Sequence, residues 1–384
     1  MTMMNMPTSK SELDTGSTVV KQVKRRSLFM ERLFEFLSSV KLALALLIAI
    51  LVSCVIGVTL VRGERAGELI FGALWFNGLL VLLVVNVAFC FFGRIWGRRI
   101  TLISLGMILF HLSFVAMLGG IIYNSMFYFR GFIRLTEGET LPSGDRQSYD
   151  AIDHGRFFDF EKLKGETTLI KMHTGYQVEE TDKRAAYEIA VGEGAAKKQG
   201  VVYITKNLEH DGFRYFNDRE GYSVAIFLYD KKGAELYGAF VPLQSFKQKD
   251  DKGNDVYLYT TGTKESPGSF PYPQEPQKPL FSLQVTYRPS ALKFKERNGE
   301  AFLQVWPLAT PESVQGDKTL AYGKLPIGGK LEAGDHYLMA TEVRYWVAMS
   351  VRHEPGLPIV LTSLWVGLTG MTITFIGRLR KGKE

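Results

Sequence analysis

Cysteine is almost missing from this chain of 384 residues. There are two, Cys54 and Cys90, and both fall inside long apolar runs. A disulfide framework is therefore excluded, even in a compartment that would permit one. No CxxC is present, which excludes a thiol oxidoreductase, and no CxxCH, which excludes a c-type cytochrome. Both thiols read as inert packing residues. The six histidines are His111, His154, His173, His210, His336 and His353, and no two have the close spacing of a zinc site. A G-x-S-x-G elbow, a Walker A loop and an HExxH motif are also lacking, so hydrolase or ATPase chemistry has no support.

Charge is missing from four stretches. Leu42–Val61, Leu69–Gly93, Ile100–Tyr123 and Leu357–Gly377 hold no Asp, Glu, Lys or Arg, and together make up 90 residues. Each can cross ~30 Å of hydrocarbon as a helix. The averages, 46% hydrophobic with a mean hydropathy of +0.01, would describe an ordinary soluble protein. The clustering excludes that, along with a fibrous or a disordered chain.

The charges that are present mark orientation. Of the net +7, the excess sits in residues 1–41, in Arg94, Arg98 and Arg99, and in the tail after Gly377. The link 62–68 balances, and residues 125–356 hold 30 basic against 32 acidic groups. The positive-inside rule places both termini and the second link in the cytoplasm, and 125–356 outside. The basic balance thus points to the lipid bilayer and its anionic headgroups, not to nucleic acid. The polar first ~25 residues, followed by a long apolar run with no small-residue cleavage site, read as an uncleaved N-terminus. Phe29, Leu33, Phe36, Leu37 and Val40 recur at helical spacing, so 27–41 reads as an amphipathic helix at the interface.

Residues 125–356 read as mainly β, because β-branched and aromatic runs recur between turn signals. The runs are Gly131–Thr136, Val201–Thr205, Ser223–Tyr229, Val256–Thr260, Phe281–Tyr287, Ala301–Trp306 and Tyr337–Val351. Turns are expected at 230–233 and 250–254, and loops at 192–200 and 265–278. A sandwich or barrel-like domain is expected, with a division into two subdomains near 265–278.

His111 stands out on physical grounds. It is the single His, Asp, Glu, Lys or Arg among the 90 membrane residues. It lies roughly 16 Å from the cytoplasmic end of its span at 1.5 Å per residue, near the bilayer centre. Intramembrane ionisable groups are functional candidates by default. The plain alternative is a neutral ring bonded to Asn86, Ser113 or a partner helix. A proton relay would need further acids or histidines, and the other spans have none, whereas one neutral imidazole suits an axial ligand of haem iron. Small residues recur at packing intervals as well: Gly106, Ser113 and Gly120 on the third span, and Ser363, Gly367, Gly370 and Thr374 on the fourth. They can serve packing within the four helices or on a partner.

The order of these pieces resembles the ResB/CcsB family of system II cytochrome c biogenesis proteins. Phe34–Glu35–Phe36–Leu37–Ser38–Ser39–Val40–Lys41–Leu42 is similar to the family's entry into its first span. Trp75–Phe76–Asn77 with Asn86 resembles the second span, and His111–Leu112–Ser113 with Gly119–Gly120 the third. Gly131–Phe132–Ile133–Arg134–Leu135 and Glu137–Gly138–Glu139 resemble the first external strand and turn. His353–Glu354–Pro355–Gly356–Leu357–Pro358 resembles the turn into the last span, with Glu where Asp is usual.

The resemblance implies a subunit of a holocytochrome c synthase (haem lyase), not autonomous as an enzyme. It implies a bacterial inner membrane location and a CcsA/ResC-type partner that carries a tryptophan-rich haem-handling loop. Here the five tryptophans are scattered, as in an unfused ResB half. It further implies haem b bound in transit with His111 as an iron ligand within the membrane, an external domain that positions apocytochrome c, and reducing power from a thioredoxin-like protein. The alternative is a non-catalytic anchored scaffold that binds apocytochrome c or another external partner. A transporter or sensor is disfavoured by the lack of other membrane charges. No role for the external histidines follows from the sequence, though His353 falls nearest the membrane surface. The expected organisation is a tail and interfacial helix (1–41), spans at 42–61, 69–93 and 100–123, a β domain (125–356), a span at 357–377 and a basic tail (378–384).

Overall fold

The computed structural model describes residues 32–61, 63–95, 101–179, 181–182, 185–249, 255–262, 267–274, 276–289, 299–308 and 319–381. Expectations for 27–31, the turn 250–254 and residues 382–384 lie outside these. The chain divides into two units. One holds the helices together with residues 154–158, and the other is Phe129–Asp153 with Asp159–His353.

Among the described residues, four helices are long and apolar enough to cross a bilayer. The first, α1 (Val40–Ile56), continues through a widened π turn to Val61. The second, α2 (Leu74–Ile95), begins five residues later than the charge-free run suggests. The reason is that Gly67–Phe71 forms its own π turn, closed by Gly72 N donating to Gly67 O. The third, α3 (Leu102–Phe127), runs four residues past Tyr123. Its start is set by a capping box, in which Thr101 Oγ1 accepts from Ser104 N and Ser104 Oγ accepts from Thr101 N. The fourth, α4 (Leu357–Lys381), carries Arg378, Arg380 and Lys381 in its last turn. Cations there complement the helix dipole.

Residues 32–37 are helical, then break at Ser38–Ser39 before α1. The break exposes carbonyls, and α2 covers them. Asn86 Nδ2 donates to Leu37 O (2.6 Å) and Ser39 O (3.0 Å), and the Cys90 thiol donates to Ser38 O (2.9 Å). At the opposite end of α2, Ser125 Oγ donates to Asn77 Oδ1 at 2.8 Å. A cluster of Leu46, Ile70, Phe76, Leu80, Leu83 and Leu118 fills the space between α1, α2 and α3.

The small residues are used inside the helical unit. Gly106 lies so close to α4 that a Cβ there would sit 2.6 Å from Gly370 O. A Cβ at Gly370 would sit 2.7 Å from Gly106 O and 2.8 Å from Phe110 N, and one at Gly367 would be 2.6 Å from Ser113 Oγ. Backbones that meet at such distances admit no side chain.

The other unit is mainly β. Its central pair is β10 (Phe213–Asp230) and β18 (His336–His353), 18 residues each and antiparallel along their length. At ~3.4 Å per residue such strands reach about 60 Å. Irregularities at Asn217/Arg219 and Ala225/Ile226 let them bend. On one side β18 pairs with β1 (Phe129–Thr136), which leads to β3 (Tyr149–His154) at the edge. On the other side β10 pairs with β11 (Glu235–Lys249). The sheet then continues through β12 (Asp255–Thr260), β14 (Phe281–Pro289), β15 (Gly299–Trp306) and β16 (Ala321–Pro326). The short strands β9 (Leu208–His210), β13 (Phe270–Tyr272) and β17 (Lys330–Ala333) pair with β10, β14 and β18.

The expected strands all lie within or overlap observed ones. The turn at 230–233 is a hairpin in which Asp230 Oδ1 accepts from Lys232 N and Ala234 N. No division follows 265–278, because β12 and β14 pair directly at Tyr259–Tyr287 and Thr260–Thr286. The expected loop 192–200 is partly strand. It enters β8 (Lys198–Val202), the edge of a second sheet ordered β2 (Thr140–Pro142), β4 (Glu166–Thr174), β7 (Ala185–Gly192), β8. The short strands β5 (Gln177–Val178) and β6 (Thr181–Asp182) pair with each other.

A test of the helix packing follows. Gly370→Val should lower the stability of the purified protein by about 1–3 kcal/mol, the cost of overpacking. Gly119→Val, with nothing within 4 Å of its Cβ, should leave it unchanged. Thermal unfolding in detergent reads both, and equal effects would refute the close approach.

Candidate functional site

His111 is the tenth residue of α3. From Leu102 it lies about 14 Å along the axis, nearer that end than the middle of the 26-residue helix. A histidine on a helix can bond back to the carbonyl one turn earlier, and this one does: Nδ1 lies 2.8 Å from Met107 O. A carbonyl accepts only, so the hydrogen of the neutral ring is on Nδ1 and the Nε2 lone pair is free of it. Phe91 of α2 stacks flat on the imidazole (4.2 Å between centroids, 14° between planes), and Phe110 meets it edge-on at 5.4 Å. The ring is thus held in orientation by a backbone carbonyl and an aromatic plate.

The plain alternative is a ring bonded to Asn86, Ser113 or a partner helix, and the first two can be checked within this chain. Both are bonded elsewhere. Ser113 Oγ donates to Phe110 O at 2.8 Å, and Asn86 holds the break before α1. Among the described residues Nε2 has no hydrogen-bond partner. Orientation of one ring nitrogen by a bond to the other is how proteins prepare histidine as a metal ligand. The described residues contain no group of three or more His, Cys, Asp or Glu able to hold a metal ion. His111 can therefore supply a single ligand, which is the requirement of an axial position on a macrocycle that already provides four nitrogens.

The external histidines are scattered. His154 Nδ1 lies 2.9 Å from Gly155 O. His173 Nε2 lies 3.1 Å from Glu188 Oε2, and that bond, with one from Gln199, holds the Glu188 carboxyl below its ordinary range. His210 Nε2 is 3.5 Å from Asp211. His336 faces Asp230 across the β10–β18 register. His353 Nδ1 meets Gly212 O at 2.9 Å, and its ring stacks on Phe213. None of them joins His111 in a common site. Of the cysteines, Cys54 packs against the apolar helix cluster, whereas Cys90 is a hydrogen-bond donor.

A cleft of the β unit, about 820 Å³, contains Arg134 and Arg344 beside Glu137, Glu139, Asp145 and Asp150. Both arginines are already engaged. Arg134 pairs with Asp150 at 2.6 Å, and Arg344 pairs with both oxygens of Glu342. Sequence reading missed this cleft, and it missed the role of Asn86. The first comes from strands far apart in the chain, and an asparagine in an apolar run does not announce which carbonyl it will meet.

No protein-family model matches the chain, and no curated protein matches it either.

The ring geometry is open to direct measurement. With ¹⁵N-histidine labelling, neutral His111 should show a protonated Nδ1 and an unprotonated Nε2. The reversed tautomer would refute the Met107 contact.

Proposed function

We propose that this chain is a ResB-type subunit of a system II cytochrome c synthase, a membrane protein that passes haem outward for attachment to apocytochrome c. The observation that carries the reading is His111, a lone imidazole inside an apolar helix with Nδ1 tied to Met107 O and Nε2 left as a ligand. Haem is the cargo, and its iron accepts such a nitrogen. Phe91, flat against the ring, keeps the imidazole from turning. The ring is partly exposed on the surface of the helical unit, so in this reading hydrocarbon would surround it and keep water away. The second ligand comes from outside this chain, and a CcsA/ResC-type partner is its proposed source.

In this reading the basic ends of the chain lie in the cytoplasm and the β unit lies outside. That places the β unit where apocytochrome c is found. The chain offers no external thiol in its 384 residues, so a thioredoxin-like protein keeps the CxxCH cysteines reduced. The second reading is an anchored scaffold whose β unit alone engages the partner, with His111 only packing on Phe91.

The two readings differ at one residue. Purified with its partner, the His111→Ala variant should lose about tenfold or more of its membrane haem, measured spectroscopically, and of c-type cytochrome assembly. His111→Gly should recover with added imidazole. Unchanged haem and assembly in His111→Ala would leave the scaffold standing. Reporter fusions after Lys381 and within the turn at 230–233 should report opposite sides of the membrane.

A further inference from the structure

A second pocket, of about 420 Å³, opens in the β unit and is lined by residues of β4 and β7 on the smaller sheet and of β10, β11, β12 and β18 on the larger. Its size falls in the range of small-molecule sites, roughly 300–1,000 Å³. Three of its walls are tyrosines from three strands: Tyr222 (β10), Tyr259 (β12) and Tyr345 (β18). Tyr222 and Tyr345 are register partners with centroids 4.9 Å apart and planes tilted by 37°. Tyr259 meets Tyr222 edge-on, 4.5 Å away at 79°. The rings therefore form a corner, not a stack. Tyr287 backs this corner at 5.1 Å from Tyr222. Burial pushes the Tyr222 hydroxyl well above its ordinary range and Tyr287 up to about 12, so these two remain neutral phenols.

Among its described lining residues one is charged. Glu220 lies two positions before Tyr222 on β10, on the same face, and is exposed. The Tyr187 hydroxyl donates to its carboxylate. A carboxylate has about four acceptor sites, so one hydroxyl leaves it capacity for a further donor. The described lining includes no Lys, Arg or His, while Met172 adds an apolar floor and Ser245 a hydroxyl. Among the described lining residues, an anionic ligand would meet Glu220 with no cation to offset it. A neutral apolar ligand would cover the carboxylate and offer it no donor. An organic cation satisfies both features, because ammonium and guanidinium groups are attracted to aromatic faces as well as to carboxylates.

We propose that this pocket binds an organic cation, a primary ammonium or guanidinium on an apolar stem, with the head at Glu220 and the stem against the tyrosine rings and Met172. The ligand is either a free alkylamine or a Lys or Arg side chain presented by a docked protein. The inference is independent of the membrane histidine.

The test uses the full chain in detergent and ligand-detected NMR, with no haem in the sample. Three probes are titrated: a glycine-flanked lysine peptide, the same peptide with norleucine, and n-butylammonium. The lysine peptide should bind saturably, and norleucine about tenfold more weakly or worse. Glu220→Gln should weaken the lysine peptide by a similar factor, as should Tyr259→Leu, whereas Tyr259→Phe keeps the ring and the affinity. A lysine peptide much tighter than butylammonium assigns the site to a docked protein, and equal affinities assign it to a free amine. Equal binding of lysine and norleucine, no saturable binding of either cation at millimolar concentration, or a Glu220→Gln variant with normal circular dichroism and undiminished binding would each overturn the proposal.

Discussion

In a bilayer, helices this apolar would leave their few polar atoms with no water to bond to, and much of the helical unit fits that constraint. Every unpaired donor or acceptor in such a setting costs free energy on the order of kcal/mol. Ser53, Thr59, Thr369 and Thr372 meet it locally by donating to the carbonyl four residues back. Asn86 and Cys90 meet it at longer range, turning the carbonyls of a broken helix into a fastening between α1 and α2. His111 meets it with half of its ring only. Nδ1 is bonded, and among the described residues the Nε2 lone pair has no partner. In a bilayer that leftover polarity would be expensive, which is the physical reason for proposing it as a ligand.

The small residues belong to the same economy. Because Gly106 and Gly370 let α3 and α4 meet backbone to backbone, dispersion contacts would replace, in a bilayer, the hydrophobic drive that hydrocarbon does not supply. In the β unit the ordinary hydrophobic drive operates, and the arrangement differs. The β10–β18 pair is covered on both faces over much of its length, as the burial of every β18 residue from Tyr345 to Val351 shows. Trp346 fills one face beside Gly221 with its Nε1 donating to Leu243 O, while Tyr222 and Tyr345 fill the other.

Long unbroken patterns were legible in the residues. Four charge-free runs foretold four helices, and alternation of β-branched and aromatic residues located most of the long strands. Boundaries were less legible, because local capping decided them. The Thr101–Ser104 box set the start of α3, and the π turn at Gly67–Phe71 delayed α2. The expected subdomain division at 265–278 failed because its prolines interrupt a segment and not a sheet: strands on either side find each other across the interruption.

The sequence by itself determined which segments avoid water, where the positive charge gathers, and that His111 is alone among the apolar residues, because each of these depends on composition along one stretch of chain. Only the tertiary structure decided that Phe91 plates His111, that Asn86 reaches Leu37 rather than the histidine, and that Tyr222, Tyr259 and Tyr345 share a corner with Glu220. Those are meetings between residues 20 to over 100 positions apart. Pairing of that kind is selected by the packing of whole strands and helices, and no local pattern encodes it.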